Sequence, residues 1–283
     1  PAFATKVRRC AGDVPVALFE EGWAHDALCE QAEIVPAEEI AALIYTSGST
    51  GMPKGVMLTH RNFHTNAASA LEHIRLGPGD NMMSLLPYWH SFALVGEVIM
   101  SVMAGYQVSI PKDKKDFARN IGVYRPTVVL AVPRIANVLM NSILKKVSEK
   151  PAGPRALFRM ALTNARSVVR RRGGLGLGIL RQVLHLLVCD PILFRKVRTG
   201  FGGRLRFIMS GGAPLDVEPQ IFFKSIGVPL LQGYGLTEAT PIVSTSSEER
   251  GRIGSCGTLL SWLKPGKGGD FTFRDEEGHL GPN

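Results

Sequence analysis

The chain has 283 residues, 45% of them hydrophobic and 20% charged, with 31 glycines. That is long enough for one large or two ordinary domains with a real core, and it excludes the disordered and fibrous classes. The formal net charge is +9, yet the fifteen basic residues between Asn141 and Arg206 face only Glu149 and Asp190, so the basicity belongs to one region and the remainder is net acidic.

Cys10, Cys29, Cys189 and Cys256 lie far apart with no CxxC pair. This argues against a zinc site or a disulfide framework and fits a reducing, cytoplasmic compartment. All four are expected to act as small buried hydrophobes. The start at Pro1 carries no basic-then-apolar pattern of a secretory signal. No run of about 18 apolar residues is uninterrupted. One apolar stretch is broken by His90 and Glu97, the other by Arg181, His185 and Asp190. No segment is expected to span a bilayer.

No internal repeat is present, and residues 1–35 carry no strong pattern. From Ala41 onward short apolar runs end in Gly- or Pro-rich turns. Ala41–Tyr45 ends in Thr46-Ser47-Gly48, Gln107–Ile110 at Pro111 and Thr127–Val132 at Pro133. Leu205–Met209 ends in Ser210-Gly211-Gly212, and Val228–Leu231 in Gln232-Gly233-Tyr234-Gly235. These runs are aliphatic without strict alternation, as strands buried on both faces of a sheet are. Helical patterns fall between them, at Thr59–Glu72, Ser91–Val102 and Arg134–Val147. The alternation predicts an α/β fold with a mostly parallel sheet covered by helices. Ligands of such sheets sit at the carboxyl ends of the strands, where the three glycine-rich turns fall.

The strongest motif is Thr46-Ser47-Gly48-Ser49-Thr50-Gly51-Met52-Pro53-Lys54-Gly55, placed between a predicted strand and the helical run from Thr59. Its glycines admit a ligand close to the backbone amides, and its hydroxyls and single lysine suit a polyphosphate. It is not a Walker A loop, because Gly55 rather than Ser or Thr follows Lys54.

On these residues the chain resembles the adenylate-forming superfamily of acyl-CoA synthetases, luciferases and peptide-synthetase adenylation domains. That family's phosphate loop reads [ST]SG[ST]TGxPKG, its second marker YGxTE is matched by Tyr234-Gly235-Leu236-Thr237-Glu238, and its third by Gly211-Gly212-Ala213-Pro214. The resemblance implies ATP and Mg²⁺ as cofactors and coenzyme A as co-substrate. It implies phosphate contacts from Thr46, Ser47, Gly48, Ser49, Thr50, Gly51 and Lys54. Thr237 is expected at the α-phosphate, and Glu238 with Thr50 at the metal. Tyr234 is expected to stack on adenine, with Gly211–Pro214 and Gln232–Gly235 bordering the nucleotide. Thr237, Glu238 and Lys54 are the expected catalytic residues. Within Pro87-Tyr88-Trp89-His90-Ser91-Phe92, the side chains of His90 and Phe92, together with Gly233, are expected beside the acyl group; a purely structural His90 is the alternative.

The long basic stretch at about 141–203 resembles an insertion of long-chain fatty acid–CoA ligases. Its charge, interleaved with Leu, Val and Phe, fits peripheral contact with an anionic membrane or a solvated basic helical hairpin; no nucleic-acid motif accompanies it. The resemblance implies an adenylation core over 36–257, preceded by the end of an earlier subdomain in 1–35 and followed by the start of the next in 258–283. The family's ribose-binding aspartate and small-domain lysine fall beyond the match. The chain is therefore expected to be a fragment that does not make acyl-CoA by itself. The implied reaction is ATP-dependent activation of a fatty acid and its transfer to coenzyme A. Acyl carrier protein as acceptor, or an inactive nucleotide- or acyl-binding module, are the alternatives.

Overall fold

The structure is a computed structural model that describes residues 35–47, 52–170 and 193–263. The expected phosphate contacts Gly48, Ser49, Thr50 and Gly51 lie outside the described residues, as do Cys10, Cys29, Cys189, Arg171, Arg172 and nearly all of 1–35. Residues 37–283 form one unit and Pro1–Pro36 another.

Strand β1 (Ile40–Thr46) pairs antiparallel with β2 (Lys54–Thr59) in a separate two-stranded sheet, with Thr46 opposite Lys54. This corrects one expectation and adds an element. The run at 41–45 is not a strand buried on both faces, and an unexpected strand, β2, stands between the loop and the helical run expected from Thr59. The physical reason is period two on both sides of a hairpin. Ala42, Ile44, Val56 and Leu58 face the core, while Leu43, Tyr45 and Met57 point outward. The outward side chains are apolar, so the run reads as wholly buried when taken alone.

Helix α1 (His60–His73) begins where its pattern says it should. Thr59 is the N-cap: its hydroxyl accepts from the Asn62 amide at 3.2 Å, and the Asn62 carboxamide oxygen accepts from the Thr59 amide at 2.9 Å. This reciprocal pair satisfies two otherwise orphaned donors. Phe63, Asn66, Ala67 and Ala70 then recur at helical spacing on the buried face.

The main sheet holds seven strands in the order β4-β3-β5-β6-β7-β8-β9. They are β3 (Asn81–Met83), β4 (Gln107–Ser109), β5 (Val128–Ala131), β6 (Phe207–Ser210), β7 (Leu230–Gly235), β8 (Ile242–Thr245) and β9 (Thr258–Leu259). The first five in spatial order run parallel, and β8 and β9 are antiparallel additions after β7. The mostly parallel sheet is as expected. Four of the five predicted runs are in it, although the turn expected at Gln232–Gly235 is itself part of β7. β3, β8 and β9 carried no sequence expectation.

Two-sided burial explains the unalternating strands. Val128, Leu130, Phe207 and Met209 face α1 and the helical segment 91–104 (α2). Val129, Ala131 and Ile208 face the opposite layer. That layer comprises α4 (Pro133–Ser148), α5 (Ala152–Arg170) and α7 (Val217–Ser225); α3 (Lys114–Tyr124) and α6 (Arg195–Gly200) pack against each other. Phe158, Leu162 and Ala165 of α5 are buried there, with the Phe158 and Phe194 rings edge-to-face at 5.7 Å.

The described part of the basic stretch therefore contributes to the core. Several of its cations are committed to the fold: Arg206 bonds Asp80 at 2.8 Å and also pairs with Glu248, while Arg166 and Arg170 pair with Glu218. Arg204 donates to the Gly79 carbonyl. Among the described residues, no helix is long and apolar enough to cross a membrane. Cys256 is a free, half-buried thiol rather than a fully buried one.

Candidate active site

The carboxyl ends of β6 and β7 are adjacent because these strands pair in parallel, Ser210 beside Gln232. The chain leaves β6 through Gly211-Gly212, where Gly212 has φ +80, a conformation that favours glycine. Gly233-Tyr234-Gly235, expected as a turn, is instead the carboxyl half of β7, paired antiparallel with β8, and it leads into a 3-10 turn at Thr237–Ala239. Tyr234 presents its ring at the surface, 52% exposed. β2 runs beside this turn, so Lys54 and the open end of the β1–β2 hairpin lie in the same region as Thr237 and Glu238.

Between the turn after β6 and the carboxyl half of β7 opens a cavity of about 150 Å³. Its mouth is lined by His90, Phe92, Gly211, Gly212 and the stretch from Gly233 to Thr237. Its inner end is apolar, walled by Leu76, Met82, Met100, Leu130, Phe207 and Met209. The predicted residues His90, Phe92, Gly211, Gly212, Gly233, Tyr234, Gly235 and Thr237 thus share one cavity. Ala213, Pro214, Gln232, Glu238, Thr46, Ser47 and Lys54 do not line it. Ala213 and Pro214 are exposed beyond the glycine turn, and Gln232 is buried within β7.

His90 has a structural task as well. It is the N-cap of α2, its Nδ1 accepting from the Phe92 amide at 3.2 Å. That bond selects the tautomer protonated on Nε2. Ser91 and Thr237 hydroxyls lie 3.4 Å apart, tying the start of α2 to the turn.

Glu238 is exposed beside Thr237 and has no salt-bridge partner among the described residues. No group of three or more His, Cys, Asp or Glu side chains that could hold a metal ion occurs among those residues. A single free carboxylate fits Mg²⁺, which takes one or two carboxylates with phosphate oxygens and water.

Three groups near this cavity escaped sequence reasoning. Asn66 and Ser91 look like ordinary helix residues. Glu97 was legible only as an acid interrupting an apolar run. It is 1% exposed, inside a π-helical turn (Leu94–Ile99) where the Met100 amide reaches back to Val95. Ser84 Oγ donates to one of its carboxylate oxygens, while the other and the nearby buried Tyr88 hydroxyl have no hydrogen-bond partner. Burial pushes the Glu97 carboxyl up to about 7 against the Ser84 bond that lowers it.

The unfolded chain ionises this group near its ordinary value of 4.5, so the folded state holds an extra proton between about pH 4.5 and 7. Stability from the neutral carboxyl is full below 4.5 and falls by about 3 kcal/mol as pH rises to 7, then stays level. In the full-length protein, Glu97→Gln should therefore match wild type near pH 4.5 and be the more stable at pH 8. Urea unfolding across this range checks it; a gap that does not change with pH would show that Glu97 ionisation is uncoupled from folding.

A model of the AMP-binding enzyme family matches residues 7–266. The chain belongs to that family. Among its AMP-binding relatives, long chain acyl-CoA synthetase 8 of Arabidopsis thaliana is 34% identical over 253 residues, covering 82% of this chain and 34% of the relative. The chloroplastic long-chain-fatty-acid–acyl-carrier-protein ligase AEE15 of the same plant is 30% identical over 280 residues, covering 89% and 37%. The o-succinylbenzoate coenzyme A synthetase MenE of Bacillus subtilis, solved with ATP and magnesium ion, aligns with a TM-score of 0.57 at 22% identity, over 89% of this chain and 42% of that one. At that identity the likeness carries the adenylate-forming fold alone. This AMP-binding chain spans about a third of the length of these curated relatives.

Proposed function

We propose that the protein containing this chain activates a long-chain fatty acid with Mg-ATP and passes the acyl group to a thiol, coenzyme A in the first instance. The observation that carries this reading is the apolar cavity opening between the glycine turn after β6 and the carboxyl half of β7. An acyl chain placed at its inner end would bring its carboxylate to Thr237 and Tyr234 at the mouth. The carboxylate oxygen attacks the α-phosphorus, the bond from that phosphorus to the bridging oxygen breaks, and pyrophosphate leaves. No protein nucleophile is required; the chain positions the reactants and stabilises charge.

In this reading Thr46, Ser47, Lys54 and the loop residues 48–51 hold the β- and γ-phosphates. Thr237 meets the α-phosphate, and the Tyr234 ring stacks on adenine over the Gly211–Gly212 turn. Glu238, with Thr50, would hold Mg²⁺, which supplies charge neutralisation at the triphosphate when bound. His90 and Phe92 border the reacting carboxylate. Acyl carrier protein is the alternative thiol, favoured by the similarity to AEE15. ATP–pyrophosphate exchange by the full-length protein with a panel of fatty acids tests the reading; no exchange with any acid overturns it.

We also propose peripheral contact with an anionic membrane through the turn joining α4 and α5. Lys145, Lys146 and Lys150 are exposed at this turn and Arg159 on α5, none forming an ion pair among the described residues, and Leu157 and Met160 of α5 are exposed as well. Each cation near an anionic surface contributes about 1 kcal/mol, screened within roughly 10 Å at 0.1 M salt. Changing these four to glutamine should abolish low-salt co-sedimentation with phosphatidylglycerol vesicles. Wild-type protein that ignores such vesicles at low salt would leave this a solvated basic face.

A further inference from the structure

The turn that carries Thr237 and Glu238 is held from outside by one residue of α1. Asn66 is 2% exposed and spends its amide on that turn alone. Its Nδ2 donates to the Ala239 carbonyl at 3.0 Å and to the Ile242 carbonyl at 2.8 Å, and its Oδ1 accepts from the Ile242 amide at 3.3 Å. These three bonds bracket Thr240, a β-branched residue held left-handed at φ 63. Such a conformation is costly and persists only where surrounding contacts impose it. The turn's own closure, Leu236 amide to Pro241 carbonyl at 2.9 Å and Thr240 amide to Thr237 carbonyl at 3.1 Å, lies on its inner side.

Asn66 also sits on the helix that follows directly from the phosphate hairpin, since Thr59 ends β2 and caps α1. One rigid helix therefore links the base of the phosphate loop to the turn bearing the carboxylate. We infer that Asn66 is a positioning residue that sets Thr237 and Glu238 against the triphosphate held by the hairpin. This rests on the reading of Glu238 as the metal carboxylate. A helical Asn in a helix interior ordinarily competes with the backbone and is mildly unfavourable. Here its donors are consumed by carbonyls more than 170 positions away in sequence.

The test uses the full-length protein and compares Asn66→Ala, Asn66→Asp, Glu238→Gln and Ser69→Ala. Ser69 lies on the same buried face of α1 but bonds Ser261, away from the turn, and so reports loss of packing alone. Asn66→Ala is expected to lower the maximal rate of ATP–pyrophosphate exchange at least tenfold. It should raise the Mg²⁺ needed for half-maximal rate several-fold, as Glu238→Gln does, with the KM for fatty acid within twofold of wild type. Asn66→Asp keeps the shape but sets an oxygen against two carbonyls. Protonation restores one donor, so its rate relative to wild type should recover as pH falls, and that of Asn66→Ala should not.

Should Asn66→Ala fail to fold, adding Thr240→Gly relieves the left-handed strain. Folding should return while the Mg²⁺ defect stays. Folded Asn66 variants with wild-type Mg²⁺ dependence, or with only the effect of Ser69→Ala, overturn the inference. Wild-type protein that supports no exchange overturns the proposed function instead, so the two failures are distinguishable.

Discussion

Lys54→Ala in the full-length protein is expected to slow ATP–pyrophosphate exchange ten- to a hundredfold. Lys54 opens β2 opposite Thr46, so the hairpin register places its ammonium at the base of the glycine-rich loop. It is exposed and forms no ion pair among the described residues, so its removal should change stability by no more than about 0.5 kcal/mol. Loss of rate then reports on chemistry rather than folding. A charge-assisted hydrogen bond to phosphate is worth about 1.5–3 kcal/mol, and each 1.4 kcal/mol is roughly tenfold. Lys54→Arg should not restore full rate, because a planar fork cannot occupy the place of a compact ammonium without moving the loop. Exchange within twofold of wild type for Lys54→Ala would falsify the phosphate-loop assignment.

Gly235→Ala should be the most damaging single-methyl change at the site. A β-carbon there would lie 2.0 Å from the Pro241 carbonyl oxygen, 2.9 Å from its carbon and 3.3 Å from Ile242 Cα. All three atoms are backbone, so none can rotate aside. That same Pro241 oxygen accepts from the Leu236 amide and closes the turn at its base. The substitution must therefore open the turn that carries Thr237 and Glu238. Overpacking of this kind costs about 1–3 kcal/mol, and more when only backbone can yield. A fall in melting temperature of roughly 2–12 °C is expected for a unit of this size, with exchange reduced by more than a hundredfold. Gly79→Ala is the control, because nothing lies within 4 Å of a β-carbon there. If Gly235→Ala melts and exchanges as Gly79→Ala does, the close approach at Pro241 is not a constraint on the site.

Much of the fold was open to reading because its signals are local. The strands β5 and β6 are buried on both faces, so each is a continuous apolar run, and each ends in a Gly- or Pro-rich turn. α1 was legible to within a residue, at Thr59–Glu72, because Phe63, Ala67 and Ala70 recur at helical spacing. The hairpin was misread for a matching reason: Leu43, Tyr45 and Met57 are apolar yet exposed, and period two cannot be seen when both faces are apolar. β3 was invisible because three residues suffice for a central strand once β4 and β5 flank it.

The family and the parallel sheet were legible in the chain alone, because their markers are short motifs and apolar runs. Of the three glycine-rich turns expected at the sheet's carboxyl edge, the one after β6 is there, while Gln232–Gly235 is strand and the loop after Thr46 belongs to a separate hairpin. Which of the candidate residues share a cavity depends on how the chain packs, and Ala213, Pro214 and Gln232 fall outside it. The tertiary structure alone showed Met82, Phe207 and Met209 walling an apolar chamber, Glu97 buried with half its carboxylate unpaired, and Asn66 gripping a turn. An Asn or Glu on a helix reads the same in sequence whether water or protein surrounds it. What separates the cases is a partner brought near by sheet order, and strand order places Ile242 beside Asn66 across 176 positions of chain.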